Sequence, residues 1–410
     1  MISAEAEVRR HVSRRVWIDG GQAGTETMAQ KVHERGRAVF PGWLSKPPAE
    51  VRSMAKLAAL RVVTGVISMK RLFVWVLACL AIAAIPSAAN ADPVKIRFIL
   101  DWKAQGPGAW FYVARDNGYF AAEGLDVLID QGDGSAAAVS HIMTGTYDAG
   151  FGDINAVIQN AALHPGEQPL MVYMLYNRAP YALIVKADGP IKTLKDVEGR
   201  ILAAPAGSAT ERMFKPLALK NGVDASTVKV LNAAPNLIEQ LLVTGQADAI
   251  AQFAPTSYMN FLAMKKSPDK DFRWFFYSEN GLDLYSNGIL VSQKLLKEKP
   301  EAVRHLVAAL NKAILQVAAN PDIGITTLQK VEPLTNFDLE KQRLIYTIDQ
   351  QLRTEEVAKL GLGDLDDTRL TAAIKTVADA YALSRTPAID EVFSRAFLPP
   401  KADRILSADH

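Results

Sequence analysis

The order of apolar runs constrains this chain more than any single motif. From residue 94 onward, short runs of strand length alternate with longer stretches of helical spacing. Residues 94–100 read as a strand and 109–117 as a helix stopped by Gly118. A strand at 125–130, a helix at 135–144, a short strand at 149–151 and a helix at 154–162 follow. Two apolar runs come next, at 170–176 and 181–185. The alternation then resumes with strand 200–204, helix 209–221, strand 228–231, helix 237–244 and strand 248–252, and beyond Ser292 the chain is mostly helical. Such an order implies an α/β fold with mainly parallel sheets flanked by helices. The series occurs twice, so two lobes are expected. Residues 92–187 with 286–410 form the first and 188–285 the second, with a boundary near Asp188-Gly189-Pro190 and a return near Tyr285.

One earlier segment bears on location. Met69-Lys70-Arg71 precedes an unbroken apolar stretch over 72–85, Pro86 and Ser87 end it, and Ala89-Asn90-Ala91 has the small-x-small pattern that signal peptidase reads. About 14 apolar residues are too few to span roughly 30 Å of hydrocarbon as a helix. Residues 69–91 therefore read as a cleavable secretory signal ending at Ala91, and the expected location is the periplasm. Residues 1–68 carry arginine pairs, scattered Gly and Pro and no sustained periodicity. They read as an unstructured or non-native extension, with Met69 as the expected start.

Composition narrows the function. The sole cysteine is Cys79, inside the apolar run, so residues 92–410 hold no disulfide or thiolate site. Those residues keep 33 of the 46 basic and 38 of the 44 acidic side chains, a net charge of −5 without basic runs. A mildly acidic body of this kind argues against a nucleic-acid partner. His141, His164, His305 and His410 have no metal-ligand spacing, no catalytic Ser or carboxylate motif stands out, and no cofactor or enzymatic activity is expected.

In open α/β sheets, ligands sit beyond the carboxyl ends of the strands, against helix N-termini. The junctions there are rich in Gly and small polar residues: Leu100-Asp101-Trp102-Lys103-Ala104-Gln105-Gly106, Gln131-Gly132-Asp133-Gly134-Ser135, Phe151-Gly152-Asp153-Ile154-Asn155, Ala204-Pro205-Ala206-Gly207-Ser208-Ala209-Thr210 and Gln252-Phe253-Ala254-Pro255. Trp102 can form an aromatic wall for a planar ligand, with Gln105 close behind it. Asp133 and Asp153 sit at helix starts, where an acid either caps the helix or meets a cationic ligand edge. Ser208 and Thr210 flank a helix start, where they either cap it or offer N–H groups to an oxyanion or a ring carbonyl. Asn155, one turn into its helix, Ser135 and Gly207 are further ligand-binding candidates. Gln252 ends a strand and can pair with an amide or heterocycle, while Tyr285 and Asn287 are pocket or hinge candidates. Trp110, within an apolar helix, reads as core. Arg178 and Arg212 are the nearest arginines, but none lies in the five junctions, where Lys103 is the lone base.

At these junctions the sequence resembles the periplasmic substrate-binding proteins of ABC importers, in the group that takes nitrate, sulfonates, taurine and thiamine-pyrimidine precursors. The resemblance rests on Asn117-Gly118-Tyr119-Phe120-Ala121-Ala122-Glu123-Gly124-Leu125-Asp126-Val127, on Pro205-Ala206-Gly207-Ser208, on Gly245-Gln246-Ala247-Asp248-Ala249 and on Leu284-Tyr285-Ser286-Asn287-Gly288, and it runs from about residue 94 to 310. It implies a two-lobed type II binding fold with the ligand in the interlobe cleft. The protein would be a monomer that captures a small molecule and passes it to an inner-membrane permease and its ATPase. The Leu100-Asp101-Trp102 opening is most similar to the pyrimidine branch. That branch has a His shortly after the Trp, where this chain has Gly106-Pro107-Gly108.

Overall fold

The structure, a computed structural model, describes residues 92–407. The expected extension over 1–68, the signal over 69–91 and His410 lie outside the described residues. The strands are β1 (Val94–Ile99), β2 (Leu125–Asp130), β3 (Ala149–Asp153), β4 (Leu170–Met174), β5 (Tyr181–Lys186), β6 (Ile201–Ala204), β7 (Lys229–Asn232), β8 (Ala249–Phe253), β9 (Phe272–Phe276) and β10 (Asn287–Val291). They form two five-stranded sheets, ordered β2-β1-β3-β10-β4 and β7-β6-β8-β5-β9. The helices that matter below are α1 (Ala109–Asp116), α2 (Ser135–Met143), α3 (Ile154–Leu163), α4 (Ala209–Lys220), α5 (Ile238–Thr244), α6 (Ala254–Ala263), α7 (Pro300–Ala319), α8 (Pro321–Val331), α9 (Phe337–Thr347) and α10 (Asp367–Tyr381).

In each sheet four strands run one way and the fifth runs against them. β10 pairs antiparallel with β3 and β4, and β5 pairs antiparallel with β8 and β9. Both reversed strands are the first that the chain makes after crossing from the other sheet. A chain that leaves one sheet at its carboxyl edge enters the next from that same edge, so its first strand has to run backwards. The expectation of mainly parallel sheets therefore holds for strand direction, while half of the paired ladders are antiparallel.

Sheet membership also places the first crossing earlier than expected. β5 belongs to the second sheet, so the chain crosses between Met174 and Tyr181 rather than near Asp188. The chain returns to the first sheet between Phe276 and Asn287.

The first lobe is built on an aromatic chain. Phe98 meets Phe111 at 5.3 Å, Phe111 meets Phe151 at 5.2 Å, and Phe151 meets Tyr176 edge-on at 5.1 Å. Trp110 is fully buried beside them, as the sequence implies. Val303, Leu306, Val307, Leu310, Ile314 and Val317 form the buried stripe of α7. That stripe recurs at helical spacing and packs α7 on α1. Asp153 caps α3 by accepting from the N–H of Asn155, and Ser208 caps α4 by accepting from that of Glu211.

Trp110→Ala should lower stability by about 3–5 kcal/mol. Trp110→Phe should cost well under half of that, because the buried indole N–H has no hydrogen-bond partner to lose. Urea unfolding of the two variants measures the difference; equal losses would place the ring outside the load of the core.

Candidate functional site

The two sheets present their carboxyl edges to one another, and a small cavity lies between them. The first lobe contributes the loop after β1, from Leu100 to Lys103, together with Gln105, Pro107, Gly108, Ser135 at the start of α2, and Tyr176. The second contributes Ser208 at the cap of α4, Gln252 and Phe253 at the end of β8, and Pro255 and Thr256 at the start of α6. Trp102, Tyr176 and Phe253 supply aromatic surface, and Tyr176 approaches Phe253 edge-on across the lobes at 6.4 Å.

Two polar side chains set the chemistry of this cavity. Gln252 is only 3% exposed, and its Oε1 accepts from the N–H of Phe253 at 3.1 Å. Its Nε2 is buried without a partner, so a donor is left on the cavity wall. Buried donors are rarely left unpaired, because each costs about 1–3 kcal/mol. Asp101 lies on the facing wall and accepts from Nδ2 of Asn287 at 2.8 Å. Burial pushes its carboxyl up to about 7, against the lowering effect of its own backbone N–H and of Asn287. Lys103 is the one cationic side chain lining the cavity among the described residues, and no arginine reaches it.

The lobes touch beside the cavity. Gly207 (φ +72°) accepts from the N–H groups of Ala136 and Ala137 at 3.2 and 3.1 Å, and a Cβ on Gly134 would come within 2.6 Å of the Gly207 carbonyl. Glycine is needed there because two main chains meet.

Of the expected site residues, Trp102, Gln105, Ser135, Ser208 and Gln252 line the cavity. The others do not, each for a physical reason. Gly207 belongs to the interlobe seam. Asn287 stands behind Asp101. Asp133 is exposed and caps nothing, since Gly134 takes the N-cap position of α2. Thr210 is buried and donates to the carbonyl of Ala251 at 3.0 Å. Arg212 is turned to Gln159 at 3.2 Å, and Arg178 is exposed away from the cavity.

Asp153, Asn155 and Tyr285 are brought together at the crossings instead. The amide of Asn155 donates to Oδ1 of Asp153 (2.8 Å), the Tyr181 hydroxyl (3.2 Å) and the Tyr285 carbonyl (2.8 Å). Tyr181 in turn donates to Asp153 at 3.0 Å. Burial raises the Asp153 carboxyl to about 6, opposed by the bonds from Asn155 and Tyr181. The Tyr285 ring lies 4.1 Å under the Arg369 guanidinium, its hydroxyl bonds Glu356, and Arg369 also reaches the Asn177 carbonyl at 3.0 Å and Asp283 at 2.7 Å. Sequence order could not disclose this cluster, because Tyr181 joins it from β5 and Tyr285 from the return crossing, both remote in the chain. Tyr176 and Phe253 were discoverable in principle, since both stand at the carboxyl ends of strands.

Two sheets joined by two crossings, with a lined cavity where their carboxyl edges meet, define the periplasmic-binding-protein fold. The NMT1/THI5-like family model matches residues 108–323, and the chain belongs to that family. Over 329 residues it is 25% identical to the riboflavin-binding protein RibY of Chloroflexus aurantiacus, covering 77% of this chain and 91% of RibY. It is 24% identical over 247 residues to the formylaminopyrimidine-binding protein of Halalkalibacterium halodurans, which covers 60% of this chain and 72% of that one. Among solved structures, the alkanesulfonate-binding protein SsuA of Xanthomonas axonopodis pv. citri bound to MOPS shares the fold. It has a TM-score of 0.57 at 18% identity, with 75% of this chain and all of SsuA covered.

The raised carboxyl of Asp101 gives a pH prediction with a definite sign. Between its unfolded value of about 4 and its folded value of about 7, the folded protein holds a proton that the unfolded chain has released. The group therefore favours the folded state fully below about pH 4, and this is lost as pH rises to about 7. Asp101→Asn should gain stability relative to the native protein over that window and level off above it, as read by urea unfolding at several pH values. A constant difference would mean that Asp101 titrates normally.

Proposed function

We propose that the protein is the periplasmic solute-capturing component of an ABC uptake system, exported through the segment ending at Ala91. It works as a monomer that closes its two lobes on a small planar nitrogen heterocycle of the thiamine-pyrimidine-precursor kind. It then presents the unaltered ligand to an inner-membrane permease and its ATPase. Contacts with both cleft walls favour the closed form, and that differential affinity drives closure. The bound molecule is not chemically changed, and neither a cofactor nor nucleic acid takes part.

The observation that carries this reading is the unpartnered Nε2 of Gln252, buried opposite Asp101 in a cavity walled by Trp102, Tyr176 and Phe253. A donor on one wall and a carboxyl on the other suit a ring with a carbonyl or ring-nitrogen acceptor and an N–H or amino group. Aromatic walls suit its flat faces. The names of the riboflavin-binding and formylaminopyrimidine-binding relatives agree with such a ligand. Sulfonates, taurine and nitrate are the rival ligands. Helix N-termini can hold anions, but in the closed lobes the Ala136 and Ala137 amides of α2 are already taken by Gly207.

A thermal-shift screen of the purified protein against pyrimidines, riboflavin, aromatic acids, alkanesulfonates, taurine and nitrate tests this directly. A true ligand at 100 times its dissociation constant adds about 2.7 kcal/mol of stability. Gln252→Leu should weaken binding of that ligand about 10- to 100-fold, the effect of losing a buried hydrogen bond of about 1.5–3 kcal/mol. Trp102→Ala should abolish the shift while leaving the fold intact. Stabilisation by sulfonates alone would reverse the ligand assignment, and turnover of any ligand would make the protein an enzyme.

A further inference from the structure

The cavity has two lips, and a third element holds both. Gln105, Pro107 and Gly108 form one lip on the first lobe, and Pro255 and Thr256 form the other at the start of α6 in the second. Helix α9 packs against both the 106–108 turn and α6. Its Glu340 and Arg343, one turn apart, are 4% and 2% exposed.

Each hydrogen-bonding group of this pair is committed. Oε2 of Glu340 accepts from the N–H of Gly106 at 2.7 Å. Arg343 returns a two-point pair to Glu340, with Nε to Oε2 at 3.0 Å and Nη2 to Oε1 at 3.0 Å. The rest of the guanidinium is spent on the second lobe. Nη1 donates to the carbonyls of Pro255 (3.3 Å) and Thr256 (2.9 Å), and Nη2 donates to Oδ1 of Asn260 (3.1 Å). Arginine suits this place because its planar fork serves a carboxylate and several carbonyls at once, which the single ammonium of lysine does not.

The two ends of the relay are not equivalent. On the first lobe, a Cβ at Gly106 would come within 2.2 Å of the Glu340 carbonyl, so the two main chains are in direct contact. α8, which packs on α1, also packs on α9. On the second lobe the polar attachment is the Arg343 fork, backed by the Tyr346 ring at 5.6 Å from that of Tyr258. Opening the lobes about the crossings draws Pro255 and Thr256 away from Gln105–Gly108, and the fork is the attachment that has to let go.

We infer that Arg343 is a positioning residue for capture: it fixes the second-lobe lip against the first through α9, makes its main-chain contacts only when the cleft is shut, and so biases the protein towards the closed form. This holds for any ligand class, because Arg343 stands behind the cavity wall rather than in it.

The test needs no ligand. Removing Arg343 alone would strand a buried carboxylate, so the main variant is Glu340→Gln with Arg343→Met in the full chain, and Arg343→Lys is its partner. Hydrogen exchange of the native protein should show protected amides at Gly106 and over 256–261. In the double variant these should exchange about tenfold faster or more, while the paired amides of β1 and β2 keep their native rates and the X-ray scattering radius grows. Arg343→Lys, which keeps the charge but not the fork, should fall between the two. Uniformly faster exchange, including β1 and β2, would reduce the pair to a stability element and overturn the inference. Unchanged exchange at the two lips would overturn it as well. Should the double variant fail to fold, Arg343→Lys is read by the same criteria.

Discussion

The amide of Asn155 holds the two crossings to the end of β3, and the geometry of the cleft follows from that attachment. It gathers a carboxylate from the first sheet, a hydroxyl from the first strand of the second, and a main-chain carbonyl from the returning segment. Groups this polar are costly to bury singly and more tolerable together, although Oδ2 of Asp153 and Oδ1 of Asn155 stay without a partner. Both crossings thus pass through one buried network on one side of the cleft. Glu356 and Arg369 repeat the arrangement a layer outward, with contacts to Asn177 in the first crossing and to Asp283 and Tyr285 in the second.

The cavity is a consequence of this joining. Two crossings at the carboxyl edges force β5 and β10 to run backwards and leave those edges facing each other. Strand ends and helix starts then supply the lining: Trp102 after β1, Tyr176 after β4, Gln252 and Phe253 at the end of β8, and Ser135 and Ser208 at α2 and α4. The chain shares this architecture with the binding proteins of its NMT1/THI5-like family. Its own cavity holds a buried donor without a partner, a carboxyl raised by burial to about 7, and a single lysine.

Much of this was legible in the sequence. Alternating apolar runs located the strands from β1 to β8, and the Gly-rich junctions led to Trp102, Gln105, Ser135, Ser208 and Gln252. The reading failed where partners are remote in the chain. β9 is Phe-Arg-Trp-Phe-Phe, an aromatic run without the period of a half-buried strand, and only its pairing with β5 defines it. Tyr181 to Lys186 looked like a continuation of the first lobe because nothing local reveals which sheet a strand joins. Asp153 and Asn155 have the residue types of a ligand site, but Tyr181 and Tyr285 claim their hydrogen bonds. Glu340 and Arg343 resemble an ordinary exposed helical pair at i, i+3, and only the fold shows that both are buried.

The central claim is that a small molecule is gripped between Asp101 and Gln252 and released unchanged. Its most direct test is to saturate the protein with its best-binding solute, remove the excess, denature it and weigh the molecule recovered by mass spectrometry. One equivalent of unaltered mass from the native protein, and little or none from Gln252→Leu, is the result expected here. A changed mass, or equal recovery from both proteins, would contradict it.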